Sequence, residues 1–428
     1  MPNRRRPGVR STISPKAVRA TLTIRNLAHR GDGVAETENG PVFVAGALPG
    51  ETVIADVIGE RGVLLSVVEE AAERIIPPCP HFGSCGGCSL QHMAPAFYQR
   101  WKRDVVSRVL ASQGVDCAVD PLEPIAAGTR RRATFAAEWQ GKALAFGFHG
   151  ARSHAVVALD ACLILDPRLA GRLDELRALA ALIAPRRGVM KLHALLTESG
   201  LDIRLDDFGP WPDFTTERKL MDFATQSKLA RISLGDRVLI APQTPVLHFG
   251  TAAVTPPPGG FTQAATLSEN RLAALVMEAA GRAKHVADLF AGSGTFSLRL
   301  ALSARVHAVD GDAASIEALT RAASATPALK PLTTERRDLF RRPLMAKELD
   351  VFDLALLDPP RAGAREQIAE IVKSKLSRLV YVSCSPASFA RDAATLQGAG
   401  FTLARTTPVD QFLYSHHIEL VGVFNRER

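Results

Sequence analysis

His285-Val-Ala-Asp-Leu-Phe-Ala-Gly-Ser-Gly-Thr-Phe296 reads as an apolar strand that runs into a glycine loop and then into a helix. Gly292 and Gly294 let the backbone pass close to a ligand at the helix N-terminus. The spacing is Gly-x-Gly, without the third glycine of a dinucleotide fingerprint. The next strand, Arg305–Asp310, ends in an acid, and a carboxylate at that place can accept both ribose hydroxyls of an adenosine group. Taken alone, the loop suits an adenosylated cofactor, a nicotinamide or a structural turn.

Downstream, strand and helix alternate. A helix is expected from Thr295 to Ser303 and another over 312–324. A strand over 351–357 precedes a helix over 365–375, then a strand over 378–383 and a helix over 386–397. Strands over 400–406 and 416–424 close the series. Near-continuous apolar strands between helices imply an α/β domain, a doubly wound, mostly parallel sheet buried on both faces. Ligands of such sheets bind at the carboxyl edge of the strands. The strand ending at Leu357 delivers Asp358-Pro-Pro-Arg361 there, an acid followed by a rigid turn. This arrangement resembles the class I methyltransferases over residues 268–428. Many members of that superfamily that methylate an exocyclic amine carry an aromatic residue after the two prolines. Arg361 stands there instead, so a different nucleophile is expected.

The strand Leu379–Ser383 delivers Cys384-Ser-Pro386 to the same edge. A free cysteine is commonly a small buried hydrophobe. The helix expected to begin at Pro386 favours a lowered thiol pKa and a nucleophilic role. Carbon 5 of uracil is too weak a nucleophile to take a methyl group from a sulfonium. Thiolate addition at carbon 6 makes an enolate whose carbon 5 can attack, and a base must later remove the carbon-5 proton. Glu419, in the apolar run His417-Ile-Glu-Leu-Val421, is the candidate base, because a buried carboxylate is costly without a purpose.

Asp358–Gly363, Ser383–Pro386 and His417–Glu419, in that order, resemble the 5-methyluridine RNA methyltransferase family. Phe261-Thr-Gln263 matches its Phe-x-Gln element. The resemblance implies S-adenosylmethionine as cofactor, with Gln263, Phe290, Gly292, Asp310, Asp338 and Asp358 around it, Cys384 as nucleophile and Glu419 as base. Ala264-Ala265, Thr295 and Ser385 depart from residues that the family often carries.

Upstream, Cys79, Cys85 and Cys88 crowd into ten residues, with Cys162 further on. Six cysteines in 428 residues are too few for a disulfide scaffold, and the crowding suggests a metal site. Ligand count alone suits tetrahedral zinc or an iron–sulfur cluster. The layout resembles bacterial ribosomal members of the family, which implies a 4Fe–4S cluster. Cys117 is left over.

Short strands over 20–27, 41–45, 52–58 and 63–69 suggest a small barrel of the oligonucleotide-binding type. It resembles the TRAM domain, an RNA-binding module. The expected domains are a basic tail (1–19), the barrel (20–72), a central α+β domain with the cysteine cluster (73–262) and the methyltransferase domain (263–428).

The net charge of +8 favours an anionic partner. Arg4, Arg5, Arg6, Arg10, Lys16 and Arg19 in the tail, and Arg130, Arg131 and Arg132, are candidate phosphate contacts. No apolar run reaches membrane-spanning length, so a cytoplasmic location is expected, with no membrane and no obligate protein partner. The resemblance favours 23S rRNA as substrate, with tRNA the runner-up. Two rival readings are an RNA-binding assembly factor with a vestigial core and a nicotinamide oxidoreductase.

Overall fold

A computed structural model describes residues 17–427. The charges of the tail from Arg4 to Lys16 lie outside them. The described residues form two compact units. One runs to Pro77 and includes Ser89–Ala94; the other comprises Pro78–Cys88 and the chain from Pro95 onward. No helix among the described residues is long and apolar enough to cross a membrane.

The first unit is a six-stranded sheet in the order Val18–Thr23, Thr52–Ile58, Arg61–Glu69, Gly40–Val44, Gly33–Thr37, Asn26–Leu27. Leu22, Ile24, Val42, Val44 and Val53 form its core. The single strand expected over 20–27 is broken at Ile24, whose N–H and C=O turn to Glu51 and Gly50 instead of a ladder partner. Arg19, expected in the tail, lies in the first strand and pairs with Asp56.

In the second unit, Arg132–Gln140 lies inside a seven-stranded mixed sheet whose one face is covered by Leu173–Ala181 and Phe214–Gln226. A second seven-stranded sheet has the order Leu332–Arg336, Arg305–Asp310, His285–Leu289, Leu354–Leu357, Arg378–Ser383, Glu419–Asn425, Thr402–Val409. The first five strands are parallel and the last two form an antiparallel pair. Val286, Leu354, Leu356, Val380 and Val382 face one side, where Leu272 and Val276 of helix Thr266–Ala280 cover them. Tyr381 and Phe424 face the other, packed on Phe389 of helix Pro386–Gly398. Both faces are thus closed by helices, as the alternation of elements predicts.

Two boundaries differ from expectation for physical reasons. Leu332–Arg336 is an edge strand whose Leu-Thr-Thr-Glu-Arg sequence carries no apolar run. The strand expected from residue 351 starts at Leu354, because the Asp353 carboxylate leaves the ladder to accept the N–H groups of Lys284 and His285.

Candidate active site

The glycine loop needs backbone conformations that side chains resist. Gly292 has φ +54° and Gly294 φ +94°, and a Cβ on Gly294 would lie 2.3 Å from Leu319 Cδ1. Phe290, not a glycine, also takes φ +65°. Its N–H and that of Ala291 both donate to Val309 O, which binds the loop to the neighbouring strand. The Asp310 carboxylate accepts from Gly292 N at 2.9 Å and Asp312 N at 2.8 Å, so it braces the loop. Asp338 lies on the adjoining turn, half-exposed, accepting from Phe340 N; the Phe340 ring sits 5.4 Å from that of Phe290.

Beneath the loop, Asp288 is fully buried and accepts from Ser297 Oγ. Burial pushes its carboxyl up to about 7, and nearby Asp310 adds to the shift. Its second oxygen and the Ser293 hydroxyl are buried without a hydrogen-bond partner.

Asp358, at the end of strand Leu354–Leu357, is held well above the usual carboxylate range by burial and by the charges of Glu419, Asp288 and Asp310. Gln263 Nε2 reaches its Oδ2 at 3.4 Å. Glu419 begins the last-paired strand and is 3% exposed. Burial pushes it up to about 7, opposed by the hydrogen bond that Gln411 Nε2 donates to its Oε2 at 3.0 Å.

Cys384 follows strand Arg378–Ser383, opposite the start of strand Glu419–Asn425, and is partly exposed. Its thiol is pushed up to about 11 by burial and by the carboxylates of Glu419 and Asp358, against a smaller pull from Arg361. The expected lowering at the helix start is therefore overturned: partial burial beside two acids outweighs the dipole of Pro386–Gly398. Asp358 follows strand Leu354–Leu357, Cys384 follows its neighbour Arg378–Ser383, and Glu419 starts the strand beside that one, so the thiol and both carboxylates meet at the carboxyl edge of the sheet.

Sequence reasoning missed Gln411. Its Nε2 also donates to Gln263 Oε1 at 2.9 Å, and its Oε1 accepts from Ser268 Oγ at 2.8 Å. The signal was the polar pair Asp410-Gln411 directly after the strand that ends at Val409.

Of the three arginines at 130–132, the middle one is no phosphate contact. Arg131 is buried and donates to Glu269 Oε2 at 2.5 Å, and Arg299 holds the other oxygen of that carboxylate at 3.0 Å. Strand alternation turns Arg130 and Arg132 the opposite way, into a cleft of about 530 Å3 shared with His149, Arg152, Phe412 and His417. The Arg132 guanidinium lies 5.0 Å from the Phe261 ring.

The cysteine loop is folded against the central sheet. Gly86 N donates to His149 O at 2.9 Å, and a Cβ on Gly86 would meet that oxygen at 2.9 Å. Burial raises the Cys85 and Cys162 thiols, and Cys79 adds to both shifts. Arg130 lies within electrostatic range of Cys162 and Cys88. Among the described residues, however, no three His, Cys, Asp or Glu side chains stand together in a geometry that could hold a metal ion. The expected four-cysteine site is thus a neighbourhood of thiols without ligating geometry.

With this geometry in place, four likenesses bear on identity. Residues 255–428 match the tRNA (uracil-5-)-methyltransferase family. An uncharacterized RNA methyltransferase of Brucella suis is 44% identical over 407 residues, covering 95% of this chain and 98% of the relative. A 23S rRNA (uracil(1939)-C(5))-methyltransferase of Halomonas elongata is 33% identical, covering 97% and 91%. The crystal structure of the Pyrococcus abyssi tRNA (uracil-54, C5)-methyltransferase with S-adenosyl-L-homocysteine superposes with a TM-score of 0.73 over 94% of this chain and 99% of that one. At 21% identity, that last likeness is one of fold, the class I methyltransferase α/β fold. The catalytic sheet, the thiol–carboxylate edge and the full-length relatives agree, and the chain belongs to the S-adenosylmethionine-dependent RNA uracil-5 methyltransferases.

Proposed function

We propose that the chain transfers a methyl group from S-adenosylmethionine to carbon 5 of a uridine in 23S rRNA, through a covalent adduct between Cys384 and carbon 6 of the base. The observation that carries this reading is that neighbouring strands deliver the Cys384 thiol and the Asp358 and Glu419 carboxylates to one edge of the sheet. The Halomonas relative supports the rRNA target. Transfer RNA is the second candidate, favoured by the family description.

The residues present fit the cofactor. The open space beside Gly292, the braced Asp310 and the unpartnered Ser293 hydroxyl offer room and polar groups for an adenosyl moiety. Gln263, Phe290, Gly292, Asp310, Asp338 and Asp358 would hold it. When bound, it supplies an electrophilic methyl group. Cys384 adds its sulfur to carbon 6, and its proton passes toward the carboxylates that face it. Arg361 is the cation that favours the thiolate. Glu419, poised near neutrality by burial, removes the carbon-5 proton so that the sulfur can leave.

Cys79, Cys85, Cys88 and Cys162 would hold a 4Fe–4S cluster in this reading. What supports this is the donor chemistry alone, four cysteine sulfurs beside glycines, which suits such a group as it suits zinc; the thiols do not stand in ligating geometry in this fold. The cluster serves shape and RNA contact, since methyl transfer has no redox step. The N-terminal sheet acts as a TRAM-like RNA-binding module. The domains run over 20–72, 73–262 and 263–428, and the protein works in the cytoplasm without an obligate protein partner.

The test is a covalent trap. RNA containing 5-fluorouridine lacks the removable carbon-5 proton, so the enzyme with S-adenosylmethionine should form a complex that survives denaturing electrophoresis. Cys384→Ala should form none. Absence of a complex with the intact protein on both ribosomal and transfer RNA overturns the mechanism.

A further inference from the structure

Helix Pro95–Ser112 turns a buried stripe of Tyr98, Trp101, Lys102, Val105, Val106 and Leu110 onto helix Pro386–Gly398 and strand Thr402–Val409. A lysine in the middle of such a stripe is anomalous, because burial of an ammonium is costly without compensation. Lys102 is 0% exposed. Burial lowers its pKa, and the Asp410 carboxylate opposes that loss.

All three of its N–H donors are spoken for. One meets Asp410 Oδ1 at 2.5 Å, a second the carbonyl of Phe412 at 3.2 Å, and the third the carbonyl of His417 at 2.9 Å. Tyr98, one turn earlier on the same helix face, donates its hydroxyl to Asp410 Oδ1 at 2.9 Å and accepts from Tyr414 N at 2.9 Å. The contacts therefore pin both ends and the middle of residues 410–417, the loop between strands Thr402–Val409 and Glu419–Asn425.

That loop carries Gln411, whose two amide hydrogens go to Gln263 Oε1 and Glu419 Oε2. Shifting the loop would break the hydrogen bond that Gln411 donates to the Glu419 carboxylate and move a residue that also touches Gln263. A hydrophobic residue at position 102 would fill the stripe but could not hold two carbonyls at opposite ends of a loop.

We infer that Lys102, with Tyr98 and Asp410, is a positioning residue for the proton-abstraction step, holding the Gln411–Glu419 pair in register with the thiol. The role rests on Glu419 being the base.

The experiment uses the full chain, S-adenosylmethionine and ribosomal RNA from cells lacking this protein. It follows product release and the fraction of enzyme caught as methylated covalent adduct, together with the folded fraction by circular dichroism. Lys102→Met should slow product release about 100-fold, the scale of an ångström-sized misplacement, while adduct accumulates and the KM for S-adenosylmethionine is unchanged. Tyr98→Phe, which keeps the side-chain volume, should show the same signature more weakly, and it decides the matter if Lys102→Met does not fold. Glu419→Gln is the reference and should accumulate adduct most. If both helix variants lose turnover only in proportion to folded protein, with no adduct, the positioning role fails while the base assignment stands. If Glu419→Gln releases product without adduct, the base assignment fails and the positioning role falls with it.

Discussion

Two sets of buried charge in the second unit are handled in opposite ways. Around helix Thr266–Ala280, Glu269 lies between Arg131 and Arg299, and each carboxylate oxygen has its own guanidinium. At the edge of the catalytic sheet, Asp288, Asp358 and Glu419 are buried near one another with no salt bridge to any of them among the described residues; burial pushes Asp288 and Glu419 up to about 7 and holds Asp358 well above the usual carboxylate range. The first arrangement fixes one element against another. The second keeps acids able to exchange protons near neutral pH, which is what a base in methyl transfer requires. In the proposed mechanism, the carboxylate paired with guanidiniums serves structure and Glu419, buried without one, serves chemistry.

The contrast breaks first where pairing is complete. Glu269→Ala leaves two buried guanidiniums without their counter-charge and should destabilise the second unit by about 3–5 kcal/mol, seen as a lower urea midpoint. An unchanged midpoint would mean that the pairs are ornamental.

Glu419→Gln should act in the opposite sense. In an unfolded chain the carboxyl ionises near 4.5, whereas in the fold it keeps its proton to about 7. Between those values the folded chain binds the extra proton, so stability falls as pH rises and stays lower above 7. Removing the acid should raise stability at pH 8 by on the order of 2–3 kcal/mol and change little at pH 4, while turnover falls by about 10²–10⁴-fold. Thermal melts at the two pH values check this; equal gains at both would contradict an ionisation cause.

Tyr381→Phe sharpens the comparison. Tyr381 donates to Asp392 Oδ2 at 2.7 Å, and that acid also has Ala364 N and Arg391. With two partners left, the loss should be about 1.5 kcal/mol in a denaturant titration. Smallest of all, Arg19→Ala removes an exposed pair with Asp56 in the first unit and should leave the melting temperature unchanged.

Much of the catalytic edge was legible in the sequence because most residues there end or directly follow an apolar strand. Asp310, Asp358 and Cys384 could be placed by reading apolar runs to their carboxyl ends, and Glu419 stood out as an acid in an apolar strand. Arg131 misled for the complementary reason: three arginines in a row look alike until strand alternation sends the middle one inward to Glu269. The thiol's pKa was misjudged because the helix start is visible in Ser385-Pro386, whereas two acids arriving from positions 358 and 419 act only through space. Gln411 and Lys102 were illegible as a pair, since their roles depend on partners far along the chain, 148 positions away for Gln411 with Gln263 and 308 for Lys102 with Asp410.

That last separation has a consequence for biosynthesis. At about 5–20 residues per second, a ribosome needs roughly 15–60 s to travel from Lys102 to Asp410. Throughout that interval the stripe containing Tyr98, Trp101 and Val105 has emerged while the strands that will cover it are still untranslated. The nascent chain therefore carries this apolar stripe uncovered for most of its synthesis, and a polypeptide terminated before helix Pro386–Gly398 and the final hairpin would lack both elements that cover it.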